Sequence, residues 1–213
     1  MLVNAGPTHE SIDPVRFIGN HSSGKMGVAI AVAASACGAD VHLIAGPGVV
    51  VPPGLPLQVT WVTTADEMAA ACQGSFPGCD VAVLAAAVAD FTPVEKHDTK
   101  VKRGTGEMII RLRPTSDIAA GLGSTKKSGQ IICGFALETD NEIDNAVGKL
   151  RRKNLDMIVL NSLRDEGAGF GVDTNRVTII DSNNKIDKFE LKPKDEVALD
   201  ILWKIVSLRE RKL

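Results

Sequence analysis

The sequence predicts an α/β fold: a Rossmann-like, mostly parallel sheet flanked by helices, with an antiparallel edge and a protruding flap. Three observations carry that prediction. Short apolar segments alternate with helix-like or turn-rich stretches through the first half of the chain. These segments are continuously apolar, as strands covered on both faces by helices must be. The alternation is interrupted by a charge-dense excursion after Asp90 and, late in the chain, by two strand-like runs separated by Ser182, Asn183 and Asn184.

In order, strands are expected at Leu2 to Ala5, Val41 to Ala45, Gln58 to Val62 and Val81 to Ala86. A helix is expected over Ser23 to Cys37, where Ala29, Ala33 and Ala34 permit close packing, with Ser22 or Ser23 as its cap. Thr64 and Glu67 have capping-box spacing at the head of a second helix, Thr64 to Cys72. The excursion, at about residues 91–112, carries Lys96, Lys100, Lys102 and Arg103; its last part, Glu107 to Leu112, reads as a strand completing a short hairpin. A helix near Ser116 to Thr125, a strand at Ile131 to Phe135, a helix at Glu142 to Lys153 and a strand at Met157 to Leu160 resume the core. Asn175 to Asp181 and Lys185 to Leu191 form the antiparallel edge, and Pro193 to Leu208 is the closing helix.

The 213 residues suit one nucleotide-binding domain over 1–213, large enough to bury a core without disulfides or metal. A net charge of -2 removes the simplest case for a nucleic-acid partner. Cys37, Cys72, Cys79 and Cys133 form no CxxC pair and no zinc-like grouping with histidines, so no metal ligand is assigned and a reducing, cytoplasmic location is expected. The run Val81 to Ala89 is far short of the roughly 20 residues of a membrane span, and no export leader is evident.

The richest local feature joins Gly6-Pro7-Thr8 to Gly19-Asn20-His21-Ser22-Ser23-Gly24-Lys25-Met26-Gly27. Glycines allow close backbone approach, and free N–H groups at a helix start can receive a phosphate. Gly19 to Lys25 satisfies most of GxxxxGK[ST], yet Met26 stands where a Mg²⁺-binding hydroxyl belongs, and GxGxxG is absent. Tight packing of a turn and helix start reads these residues equally well. Asp90, at the exit of a central strand, suits a ribose hydroxyl or a helix cap; Lys100 suits oxyanion neutralisation or solvent. Phe135 can cover a base or fill the core. Asn161, with Gly169-Phe170-Gly171 and Asp173-Thr174-Asn175, makes a polar rim or ordinary turns.

Taken together, Gly6 to Thr8, Ile12-Asp13-Pro14-Val15-Arg16, Gly19 to Gly27, Ala85 to Asp90, the Lys100 region, Gly134 to Thr139, Lys153 to Asp156 and Asp173 to Asn175 resemble the phosphopantothenoylcysteine synthetase family, phosphopantothenate-cysteine ligases of coenzyme A biosynthesis. The resemblance implies ligation of 4'-phosphopantothenate to L-cysteine through an acyl-nucleotidylate, with CTP and Mg²⁺ expected and ATP the open alternative. It implies Asn20 for handling the acyl intermediate and Lys100 for phosphate charge. Ala86, Ala87, Val88, Ala89, Asp90 and Phe135 would line the nucleotide, and Gly6, Ser22, Ser23, Gly24 and Asn161 the substrate or its phosphate. It also implies a homodimer whose excursion covers a neighbouring site. A phosphopantothenoylcysteine decarboxylase domain often precedes this one in the family; the synthetase half alone is expected here. An NAD(P)-linked Rossmann enzyme and a noncatalytic nucleotide-binding regulator are the alternatives.

Overall fold

The computed structural model describes residues 1–138, 140–162 (Ser162 by its backbone alone) and 171–212. Its main sheet has eight strands: β1 Leu2–Ala5, β2 Val41–Ala45, β3 Leu57–Trp61, β4 Val81–Leu84, β5 Ile131–Glu138, β6 Met157–Ser162, β7 Val177–Asp181 and β8 Ile186–Lys188. Their spatial order is β3-β2-β1-β4-β5-β6-β7-β8. The first six are parallel; β7 and β8 add antiparallel to the β6 edge. The predicted α/β architecture and its antiparallel edge are both present.

Five helices flank the sheet: α1 Lys25–Ala36, α2 Ala65–Ser75, α3 Ile118–Thr125, α4 Glu142–Arg152 and α5 Lys194–Glu210. Alternate residues of each strand serve different layers, as the two-residue period of a strand requires. Val3 and Ala5 of β1, Val83 of β4 and Val159 of β6 pack with α1 and α5. Leu2, Ala82 and Ile158 from the same strands pack with α2, α3 and α4, around Met68, Phe76, Leu122 and Leu150. The continuously apolar central strands therefore mark a sheet covered on both faces, while the edge strands β3 and β8 keep exposed positions such as Gln58 and Ile186. Cys37, Cys72, Cys79 and Cys133 are free thiols. No helix among the described residues is long and apolar enough to cross a membrane.

Local signals set several boundaries. Thr64 Oγ1 accepts from the Glu67 N–H at 3.2 Å and Glu67 Oε2 accepts from the Thr64 N–H at 3.1 Å, the reciprocal box that the spacing predicts at α2. The reversal between β7 and β8 places Asn184 at φ 62 and closes with its N–H on the Asp181 carbonyl at 2.9 Å.

Four expectations are corrected. No side chain caps α1; Gly24 is its N-cap, and Ser22 Oγ accepts only the Gly24 N–H, at 3.3 Å, before the helix begins. β4 ends at Leu84, because the Ala86 N–H leaves the ladder for the Asn4 side chain. Asn175 falls outside β7: Thr174–Asn175 pairs with Lys192–Pro193 in a separate two-stranded ribbon, and β8 is only three residues long. In the excursion the hairpin is Phe91–Pro93 against Leu112–Pro114, whereas Glu107 to Arg111 carries no regular structure. A second ribbon, His9–Ser11 with Phe17–Gly19, packs beside this hairpin.

Helix α1 crosses β1 at backbone distance. A Cβ added at Gly27 would stand 2.6 Å from the Ala5 Cβ and 2.9 Å from the Asn4 carbonyl oxygen, so the helix seats only because the residue is glycine. Gly27→Ala is expected to lower unfolding stability by about 1–3 kcal/mol, the usual cost of overpacking, read as a lower urea midpoint at unchanged slope.

Candidate functional site

In the parallel part of the sheet the order is β3-β2-β1-β4-β5-β6, so consecutive connections turn outward in opposite directions from the β1/β4 boundary. Loops leaving the carboxyl ends there part and leave a crevice. A cleft of about 550 Å³ lies at this place, lined by the β4 exit from Leu84 to Val88, the Asn20 to Gly27 segment, Thr115 to Ala119, Gly134 to Leu137, and side chains of α4.

One wall is the strand exit from Ala85 to Asp90, pinned by side chains from four other segments. Asn4 Oδ1 accepts the Ala86 N–H at 2.9 Å, and Thr8 Oγ1 accepts the Ala89 N–H at 3.0 Å. Asn20 Nδ2 donates to the carbonyls of Ala87 at 2.9 Å and Val88 at 3.2 Å. Thr115 Oγ1 donates to the Ala89 carbonyl at 2.6 Å, while the Thr115 N–H donates to that of Asp90. Gly6 closes the set by accepting the Ala87 N–H at 2.9 Å. With its amide hydrogens engaged on two carbonyls, Asn20 has Oδ1 left as its hydrogen-bonding group toward the cleft, an acceptor.

The floor is the start of α1. Gly24 has φ +73, a left-handed conformation, and a Cβ there would stand 2.7 Å from Val49 Cγ2. Both the turn and the packing therefore demand glycine. No acidic residue and no capping side chain occupy the first turn, so its positive dipole end faces the cleft beside Ser22 and Ser23.

The rim is cationic. Lys153 pairs with Asp117 at 2.8 Å, and Asp117 Oδ1 caps α3 by accepting the Ala120 N–H at 3.0 Å. Burial raises the Asp117 carboxyl, but Lys153 and the Ala120 amide outweigh it and leave it below the usual value. Lys149, one helical turn before Lys153, makes no hydrogen bond or ion pair among the described residues. Burial, then the neighbouring Lys153 charge, hold its ammonium below the usual lysine value, against Glu138, Asp117 and Asp90. On the opposite side Lys25 reaches Asp173 at 2.7 Å, and Lys194 donates to the carbonyls of Val172 and Thr174. Asn175 is buried there; its Nδ2 lies 3.4 Å from Asn161 Oδ1 while its own Oδ1 has no partner among the described residues.

Of the residues singled out from sequence, the structure gathers Asn20, Ser22, Ser23, Gly24, Ala86, Ala87, Val88, Asp90, Phe135 and Asn161 on this cleft. Gly6 and Ala89 stand behind the lining: Gly6 packs on Val49 and Gly46, and Ala89 is buried. Lys100 is exposed on the excursion and is not among the lining residues. Thr139, Gly169 and Phe170 lie outside the described residues. Sequence reasoning missed Asn4 and Lys149, and named Thr8 only within the Gly6-Pro7-Thr8 motif, without its bond to the wall. An asparagine inside an otherwise apolar strand is the signal that marks Asn4; the Lys149/Lys153 spacing of four on α4 is the signal for the paired cations.

Asp90 and Asp117 are the carboxylates of the lining, and Asp117 is committed to Lys153. Among the described residues no three His, Cys, Asp or Glu side chains group as a metal site. A lining with so few free carboxylates beside a cationic rim fits a divalent ion only as one held by phosphate oxygens of a bound nucleotide, not by a cage of protein ligands.

Anion binding favours charged Lys149, so affinity for a polyphosphate is expected to fall as pH rises through its lowered pKa, below the 10.5 of an ordinary lysine. Lys149→Met is expected to weaken a nucleoside triphosphate by about tenfold or more, the worth of one charge-assisted contact of about 1.5–3 kcal/mol, and to flatten that limb. Calorimetric titration across pH checks both.

Comparison with known proteins agrees with this fold. A decarboxylase named for cysteine and cysteine sulfinic acid, from an unknown prokaryotic organism, is 62% identical over 208 residues, covering 98% of this chain and 58% of the relative. The coenzyme A biosynthesis bifunctional protein CoaBC of Bacillus subtilis (strain 168) is 42% identical over 211 residues, 99% of this chain and 52% of that protein. The chain thus spans little more than half the length of the curated relatives it matches. A crystal structure of the C-terminal domain of a CoaBC protein superposes with a TM-score of 0.84 at 38% identity, covering 99% of this chain and 95% of that one. Residues 1–208 match the model of the DNA/pantothenate metabolism flavoprotein C-terminal domain, and the chain belongs to that family.

Proposed function

We propose that this domain ligates 4'-phosphopantothenate to L-cysteine at the expense of a nucleoside triphosphate, CTP being the expected one. The observation that carries the reading is a cleft at the sheet's switch point that sets unpaired Lys149 and the uncapped start of α1 on one volume of about 550 Å³. Two anionic reactants held together need such neutralisation, which raises their effective concentration and stabilises charge developing on phosphate. The 42% identity to CoaBC and the likeness to a CoaBC C-terminal domain support the same reading.

In the first step a carboxylate oxygen of the pantothenate arm attacks the α-phosphorus, and the bond to the β-phosphate oxygen breaks to release pyrophosphate. In the second the cysteine amine, having lost a proton, attacks the acyl carbon; the amide bond forms and the nucleoside monophosphate leaves. Lys149 holds phosphate oxygens in the first step, and Mg²⁺ travels with them as the nucleotide's counter-ion. The side chain of Phe135 and the backbone of Ala86 to Val88 flank the nucleotide, with Asp90 placed for ribose hydroxyls. Ser22, Ser23 and Gly24 suit the second phosphate, at the start of α1. Asn20 Oδ1 is an acceptor on this wall and orients the incoming amine, a role that follows from its donors being held by Ala87 and Val88.

Purified protein with 4'-phosphopantothenate, Mg²⁺ and CTP is expected to release pyrophosphate, and with L-cysteine to yield 4'-phosphopantothenoylcysteine by mass; ATP runs in parallel. Asn20→Ala is expected to slow product formation more than pyrophosphate release. Folded protein releasing pyrophosphate with neither nucleotide sinks the reading. Carbon dioxide from cysteine, measured alongside, reports the activity named for the 62% identical relative.

Val15 and Phe17 on one ribbon and Phe91, Val94, Ile109 and Leu112 on the excursion are exposed, Ile109 at 83%. Such an apolar face on two adjoining ribbons suits self-association. The homodimer expected of the family is assigned to this face. Ile109→Glu is expected to shift the protein from dimer to monomer in sedimentation velocity; a wild-type monomer at all concentrations removes the assignment.

A further inference from the structure

We propose that Asp13, acting with Arg16, is a clamp on the excursion that sets the position of Lys100, an inference that rests on the ligase reading and on the phosphate-charge role that the family resemblance implies for Lys100. Asp13 lies in the turn between the strands His9–Ser11 and Phe17–Gly19. Its side chain is fully buried, although Pro14 to Phe17 beside it are exposed. Oδ1 accepts the N–H groups of Val15 and Arg16, each at 2.9 Å, which is all that the turn itself requires.

The second oxygen is used for something else. Oδ2 accepts from the Arg16 guanidinium and, at 3.1 Å, from the N–H of Val101, 88 residues further on. Arg16 Nη2 in turn donates to the Val101 carbonyl at 3.0 Å. Both polar groups of one residue are thereby held by one ion pair, buried at Asp13 and partly exposed at Arg16. A second tie, from the His97 N–H to the Ile12 carbonyl at 3.0 Å, lies four residues earlier. Between the hairpin strands Phe91–Pro93 and Leu112–Pro114 there is no regular structure to order the chain. Ordering each such residue costs about 1–2 kcal/mol of entropy, and these ties confine the stretch that carries Lys100.

Lys100 directly precedes the clamped residue. Its side chain is exposed and makes no hydrogen bond or ion pair among the described residues. A cation that must meet phosphate at a particular point gains from a backbone fixed beforehand, since alignment is then not lost entropy in the reaction. A turn needing only Oδ1 does not account for a carboxylate and a guanidinium converging on the peptide groups next to Lys100.

Asp13→Asn separates the two roles, because the amide oxygen can keep the turn while the NH₂ group cannot accept from Val101 or Arg16. The rate of pyrophosphate release at saturating CTP and 4'-phosphopantothenate is measured for wild type, Asp13→Asn, Lys100→Ala and the double variant. Each single change is expected to slow release about tenfold or more, and the double variant to be no slower than Lys100→Ala, because a residue acting through Lys100 has nothing to act on once it is gone. Trypsin supplies an activity-independent readout: with both proteins digested well below their thermal midpoints, the Lys100–Val101 bond is expected to resist cleavage in the wild type and to be cut at least tenfold faster in Asp13→Asn. Single effects that multiply in the double variant, a rate within twofold of wild type for Asp13→Asn, or equal cleavage at Lys100–Val101 overturns the clamp. A wild type that releases no pyrophosphate overturns the ligase reading itself, a different result.

Discussion

The pinned exit of β4 is the constraint on which the site depends. Six residues leave a central strand with no ladder to follow, yet their backbone amides and carbonyls must be satisfied at the edge of a dry core. Asn4, Thr8, Asn20 and Thr115 supply those partners from four separate segments. Asn4 and Thr8 are themselves buried, so losing either would strand a polar group of the exit without solvent to replace it. The same bonds that satisfy the backbone also shape the cleft wall and use up the amide hydrogens of Asn20. Stability and function share one set of contacts here.

Around that wall the fold arranges charge with little freedom. Gly27 lets α1 lie against β1, which brings the start of the helix to the carboxyl ends of the strands. Lys153 is neutralised by Asp117, which also begins α3, so helix position and rim charge are set together. Lys149 is left over, partly buried and without a partner among the described residues, a costly state in an empty protein and a favourable one beside a polyphosphate. At the opposite end of the sheet, buried Asp156 accepts from the Ile132 N–H at 2.7 Å and pairs with Lys126 at 3.0 Å and Lys212 at 2.6 Å. There both oxygens of the buried carboxylate are answered from within, in contrast to Lys149 at the cleft.

Much of the architecture could be read in advance, for physical reasons visible in particular residues. Continuous apolar runs such as Val81 to Leu84 declare a strand covered on both faces, and the Thr64/Glu67 box declares where α2 begins, because both depend only on neighbours in sequence. The excursion was legible as a charged interruption. The strand expected at Glu107 to Leu112 was not realised beyond Leu112, since pairing there depends on what the partner strand offers and the hairpin closes after three residues. The α1 cap was misassigned for a related reason: a serine beside a helix start is a candidate, but the left-handed turn at Gly24, required by Val49, leaves both serines outside the helix.

The sequence alone determined the class of fold, the direction of the sheet, the ordered motifs of the family and ten of the residues that line the cleft. The fold class and the sheet direction follow from composition, from periods of two and 3.6 residues, and from local backbone chemistry; the ten residues are what the resemblance to the family implies. Only the tertiary structure decided which side chains work together: that Asn4 and Thr8 serve the wall, that Lys149 is a cleft cation with no partner among the described residues, that Asn20 faces the cleft as an acceptor, and that Asp13 reaches Val101. Those pairings span tens of residues, and a hydrogen bond depends on distance and direction that no local pattern encodes.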